Sequence, residues 1–146
     1  MVSRAGIIAE ARSWIDTPYV HQASLKGVGC DCLGLVRGVW RAVYGAEPEE
    51  PPPYTRDWAE ARGRETLAEA AGRHMVPMAL DAIRPGDVLL FAMKDHSPAK
   101  HCAFLTAPSR MVHSIEAHPV AEVSLWAERG PRRRMRFAFS FPDLTD

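Results

Sequence analysis

The sequence predicts an α+β fold, with helices first and a mainly antiparallel sheet of about five strands after them. Two observations carry this. In the first half, apolar residues recur at helical spacing, at Ile7, Ile8, Ala11, Trp14 and Ile15, and again at Leu35, Val36, Val39, Trp40, Val43 and Tyr44. From Val88 onward they come in short runs bounded by turn signals, as strands do. Helices followed by strands, rather than alternating with them, make an α+β layout. The 146 residues are a single domain by length, 1–146, without internal repeats.

Ser3 caps the first helix, and Thr17-Pro18 ends it, because the residue before proline is pushed out of the α region. Tyr19 to Gly29 reads as a loop. Asp31 is a good N-cap and Gly45 a good C′ residue, so a central helix runs from Cys32 to Tyr44. Residues 46–54, with four prolines, form a stiff connection. Thr55 caps a third helix from Arg56 to about Arg73, interrupted by Gly63. Arg84-Pro85-Gly86-Asp87 is a turn that leads into the strand Val88–Met93. His101–Thr106 and Arg110–Glu116 flank Ala107-Pro108-Ser109 as a hairpin; Val120–Trp126 and Met135–Phe141 supply two more strands.

Lys plus Arg equals Asp plus Glu, at 18 each, so no overall field steers the chain to nucleic acid or anionic lipid. The local run Arg132-Arg133-Arg134 with Arg136 reads as a solvated loop entering a strand, ahead of a polyanion site. The N-terminus has no continuous apolar segment, and no run of ~18 apolar residues occurs. Synthesis in the cytoplasm without a signal peptide, and no membrane insertion, are the expectations. Three cysteines, two of them at Cys30-x-Cys32 spacing, do not make a disulfide framework.

The candidate chemistry centres on Cys32. At a helix N-terminus the unpaired N–H groups and the macrodipole favour a thiolate. A cysteine nucleophile needs a base, and the base needs an orienting partner. His101 and His113 both fall on the hairpin. A two-residue turn would set His113 opposite Phe104 and put the two histidines on opposite faces. A three-residue loop would set it opposite Ala103, making them diagonal neighbours on one face. The catalytic reading therefore requires an odd-length loop or a bulge. His21, His74, His96 and His118 read as surface or loop residues, with His118 a weaker alternative to His113. Zinc on Cys30, Cys32, His101 and His113 is a competing reading, disfavoured because Cys-x-Cys across a helix start is not the usual loop of structural sites.

These residues resemble the NlpC-type cell-wall cysteine peptidases. Asp31-Cys32-Leu33-Gly34-Leu35-Val36 is similar to the family's Asp-Cys-Ser-Gly-Leu-Val, and Thr17-Pro18-Tyr19 to its Thr-Pro-Tyr. Arg84 to Phe91 is similar to its Pro-Gly-Asp-Leu strand entry. His101-Cys102-Ala103-Phe104-Leu105 followed by Met111-Val112-His113 is similar to its paired histidine strands. The resemblance covers about residues 5 to 125 and implies a papain-like fold with the nucleophile at the start of a central helix. It implies Cys32 as nucleophile, His101 as general base and acid, and His113 as the orienting member. Tyr19 would help hold the oxyanion, and Asp31 would border the pocket for the substrate's free amine. The implied reaction is cleavage of peptidoglycan stem peptides, at the D-γ-glutamyl–diaminopimelate bond, through a thioester and without a cofactor.

The Leu33 variant and the proline-rich insert are similar to peptidases encoded among phage and gene-transfer-agent tail genes. Phage-like tail proteins are the implied partners, and action in the periplasm the implied location. Three departures stand out: Leu33 for the family's serine, Cys102-Ala103-Phe104 for Val-Gly-Ile, and one extra residue between Tyr19 and Cys32. The alternatives are a catalytically inactive tail-assembly protein of the same fold, and an amidase or acyltransferase acting on another substrate.

Overall fold

In the computed structural model, residues 1–55, 63–126 and 134–146 are described. Helix α1, Arg4–Arg12, starts where Ser3 Oγ accepts the Gly6 N–H at 3.0 Å. It stops short of Thr17-Pro18. The Ser13 hydroxyl turns back to the Glu10 carbonyl at 2.5 Å, and turns carry the chain on to Asp16 at a φ of 75°. Trp14 stays buried, whereas Ile15 is exposed and falls off the expected stripe.

Helix α2 spans Cys32–Tyr44, the predicted limits, and buries Leu35, Val36, Val39 and Trp40. Its cap is Asp31, whose Oδ1 accepts the Gly34 N–H at 2.7 Å. Gly45, at a φ of 93°, ends it. Two internal glycines let α2 sit close to its neighbours. A Cβ at Gly34 would lie 1.8 Å from the Ala23 carbonyl oxygen, and one at Gly38 would lie 2.1 Å from the Trp14 ring. The segment from Tyr19 to Gly29 is not only a loop, because Ser24–Leu25 (β1) and Gly29–Cys30 (β2) pair as a small antiparallel hairpin before the helix.

The third helix corrects the sequence reading. Thr55 does not cap a described helix, residues 56–62 lie outside the described residues, and α3 runs Thr66–His74. Gly63 has a φ of 64° and sits in a turn, a backbone conformation that does not continue a helix.

Among the described residues the sheet has six strands in the order β3-β8-β4-β5-β6-β7, and each neighbouring pair is antiparallel. They are β3 (Val76–Met78), β4 (Val88–Ala92), β5 (Ala99–Ala107), β6 (Arg110–His113), β7 (Ala121–Ser124) and β8 (Met135–Ser140). The sequence reading lacked β3, an edge strand whose Pro77 weakens the strand signal. Of the basic run, Arg132 and Arg133 lie outside the described residues, while Arg134 approaches Asp95 at 3.7 Å.

Both faces of the sheet are covered, which accounts for the unbroken apolar run of β4. Val88, Leu90, Cys102 and Phe104 pack with the α1–α2 side around Ile7, Leu35 and Val39. Leu89, Phe91, Ala103, Leu105 and Met111 form a second cluster with Leu125 and Met135. No helix among the described residues is long and apolar enough to cross a membrane.

Asp87 of the Pro-Gly-Asp turn is fully buried and structural. It accepts from Arg4 Nη1 at 2.7 Å, from Ser140 Oγ at 2.5 Å and from the Arg84 N–H at 2.8 Å. This ties the start of α1 to the entrance of β4 and the end of β8.

Candidate active site

The hairpin meets the parity condition through a bulge rather than a longer loop. Ala107 pairs with Arg110 across the two-residue turn Pro108-Ser109, but the register then shifts, so Leu105 faces Met111 and Ala103 faces His113. Thr106 is the extra residue. It brings the imidazoles together, with His101 Nε2 and His113 Nδ1 3.0 Å apart. A second shift follows at the other end of β5, where Phe91 pairs with His101 but Ala92 pairs with Ala99. Lys100 is passed over, so Ala99 and Cys102, three residues apart, both enter the helix-side core.

Helix α2 delivers Cys32 to this corner. Its sulfur lies 3.8 Å from the Lys100 carbonyl oxygen, with Cys102 and His101 as the neighbours that act on its pKa. The Cys102 bond pulls the Cys32 pKa down most. Burial opposes it, the bond and positive charge of His101 add to it, and the net shift is well below the usual thiol range. Cys102 shifts the other way, since a bond to the Cys32 thiolate and burial both keep its own proton on. His113 is pushed down to about 4, by burial first and then by the charges of His101 and His118. Near neutral pH it is therefore an uncharged imidazole. An uncharged His113 can accept the His101 Nε2–H at its Nδ1 lone pair, the tautomer that leaves His101 Nδ1 for the sulfur.

Asp31 is only 3% exposed, and both oxygens are taken. Oδ1 caps the helix through Gly34, while Oδ2 accepts the Gln22 N–H at 2.7 Å and the Tyr54 hydroxyl. Tyr19 is half-buried, and its backbone forms a parallel bridge with Cys30 just upstream of α2. Cys30 itself is fully buried, and burial raises its thiol to about 11. Among the described residues no three His, Cys, Asp or Glu side chains group to hold a metal ion. Leu33, in place of the expected serine, packs on the core and lines an apolar cavity of about 360 Å³ with Trp40, Pro52, Tyr54, Leu67 and Cys102.

Three residues around Cys32 and Asp31 were missed in the sequence. Cys102 could have been suspected from its place next to His101. Tyr54 and His21 meet only in the fold: their rings stack edge to face at 5.3 Å, and His21 Nε2 donates to the Tyr54 carbonyl at 2.8 Å. Of the other loop histidines, His96 and His118 are exposed, with His118 close enough for its charge to act on His113, and His74 is paired to Glu49 at 2.8 Å.

Comparison with known proteins gives the family. The profile of the NlpC/P60 family matches residues 16–136. The chain belongs to the NlpC/P60 family. It is 25% identical over 139 residues to the gamma-DL-glutamyl hydrolase of Bacillus subtilis (strain 168), covering 95% of this chain but spanning only 30% of that hydrolase. The solved NlpC/p60 domain of the peptidoglycan hydrolase SagA is 25% identical and superposes with a TM-score of 0.65, over 96% of this chain and all of that one. An NlpC/P60 family protein from Bacillus cereus ATCC 10987 shares the fold at a TM-score of 0.69 and 16% identity, over 96% of this chain and 40% of that one. The α+β, papain-like architecture of NlpC/P60 proteins is thus the architecture of this chain.

Proposed function

We propose that the protein is a peptidoglycan endopeptidase that cuts stem peptides through a Cys32 thioester. One observation carries the reading: the start of α2 and two bulged ends of β5 bring Cys32, His101 and His113 to one corner, where the two imidazoles lie 3.0 Å apart and His101 acts on the Cys32 thiol. Cys32 attacks the scissile carbonyl as a thiolate. Its backbone N–H, one of the unpaired donors of the first helical turn, and Tyr19 hold the developing oxyanion. His101 Nδ1 passes its proton to the departing amine, then takes one from the water that hydrolyses the thioester. His113 stays neutral and fixes the ring of His101. Asp31 caps the nucleophile helix and borders the substrate's N-terminal end. No cofactor is required by this sequence of steps.

The kinship with a gamma-DL-glutamyl hydrolase supports a γ-glutamyl bond as the target, and the motif resemblance supports the D-γ-glutamyl–diaminopimelate bond in particular. The Leu33 variant and the proline-rich connection support a place among phage or gene-transfer-agent tail proteins, with cytoplasmic synthesis and action in the periplasm. Purified protein incubated with muropeptides tests the reading. New fragments with an amine-terminal diaminopimelate are expected, and Cys32→Ala is expected to lose roughly 10³-fold or more of the rate. Equal turnover by Cys32→Ala, or products cut at another bond, would sink it.

A further inference from the structure

Tyr54 stands at an edge of the site that the proposed chemistry leaves unused. Its hydroxyl and the Gln22 N–H both donate to Asp31 Oδ2, while Oδ1 is spent on the helix cap. Asp31 is 3% exposed, and its Oδ2, with two donors on it and His21 Nδ1 3.8 Å away, has little room left for an incoming cation. Tyr54 is held by more than that one bond. Its carbonyl accepts from His21 Nε2 at 2.8 Å and from Gln22 Nε2 at 2.6 Å, and its ring packs edge-on against His21. Pro51, Pro52 and Pro53 precede it, so the segment that presents the ring has little backbone freedom to lose. Farther back, Glu47 binds Arg37 at 2.5 Å and Arg41 at 3.2 Å on α2, and Glu49 binds Arg73 at 2.6 Å and His74 at 2.8 Å on α3. The strap is thus clamped to two helices, and the tyrosine closes over the carboxylate one residue before the nucleophile.

We propose that Tyr54 is a specificity residue that closes the Asp31 end of the cleft to a free α-ammonium, so that the protein takes stem peptides whose N-terminus is acylated, as in a stem still joined to the wall. The proposal rests on the peptidase reading above, and it departs from the amine pocket that the family resemblance implies for Asp31. An ammonium could reach Oδ2 only by displacing the Tyr54 hydroxyl, which costs that bond and loosens the contacts with His21 and Gln22. An acylated nitrogen carries no charge and makes no such demand.

The test compares kcat/KM for L-Ala-D-γ-Glu-meso-diaminopimelate with a free amine and for its N-acetyl form, in wild type, Tyr54→Phe and Tyr54→Ala. Wild type is expected to favour the acetylated peptide. Tyr54→Ala, which frees Oδ2 and the space before it, should move the ratio toward the free amine by roughly 10- to 100-fold, the factor one charged hydrogen bond supplies. Tyr54→Phe, which keeps the ring, should move it the same way by less. A ratio unchanged across the three proteins, or a wild type that already favours the free amine, would overturn the proposal and leave the peptidase reading standing. If wild type cuts neither peptide while Cys32 is still alkylated by iodoacetamide and unfolding remains cooperative, the peptidase reading fails and this inference fails with it.

Discussion

Two histidines 3.0 Å apart cannot both carry a charge cheaply, and their environments separate them. His113 is drawn down to about 4, from a reference of 6.5, chiefly by burial. The folded protein therefore resists a proton that the unfolded chain accepts. The resulting stability is complete above pH 6.5, declines as pH falls toward about 4, and has been lost below that. His113→Asn, which keeps a neutral acceptor for His101, should flatten this part of the profile by something on the order of 2 kcal/mol. Denaturant unfolding of both proteins at several pH values from 7 to 4 measures it; parallel profiles would refute the assignment. The residue scale also explains what the sequence could not say about Cys102. Its type and position were visible, but its influence on the Cys32 thiol depends on Lys100 being passed over in the β4–β5 ladder.

At the scale of elements, helix α2 was legible to the residue because local signals agreed: an aspartate cap, an apolar stripe and a terminal glycine. The third helix was not, because alanine and charged residues give weak periodicity where Gly63 turns the chain. Gly38 shows which effect wins when propensity and packing disagree. By propensity alone, Gly38→Ala should stabilise α2 by about 1 kcal/mol. Its Cβ would instead fall 2.1 Å from the buried Trp14 ring, whose Nε1 is held by Glu10 at 3.1 Å. Overpacking of this kind costs about 1–3 kcal/mol or more, so Gly38→Ala is expected to be destabilised overall. Urea unfolding gives the sign, and a gain in stability would show that the ring can move aside.

For the whole molecule, the Arg4–Asp87 pair fixes the first helix against the sheet. The Asp87 side chain is fully buried and that of Arg4 is 10% exposed. Ser140 joins both, and the Arg4 N–H donates to Asp146 Oδ1 at 2.8 Å, so the two ends of the chain meet at this point. Removing one partner strands a buried charge, and Arg4→Met should cost about 3–5 kcal/mol. Asp87→Asn added to Arg4→Met should then cost less than Asp87→Asn alone. A double-mutant cycle by denaturant unfolding checks this, and additive losses would mean that the two side chains act independently.

The sequence by itself determined the helix that carries Cys32, the turn before β4, the identities of the two histidines and the family to which they belong. These rest on signals within a few residues of one another, or on motifs whose order survives without coordinates. Tertiary structure alone decided that the histidines face each other, because a single bulged residue, Thr106, reverses strand parity and no local pattern announces it. It also decided the state of Asp31. The sequence offered a cap with a spare oxygen, whereas the fold brings Tyr54 from 23 positions away to occupy it.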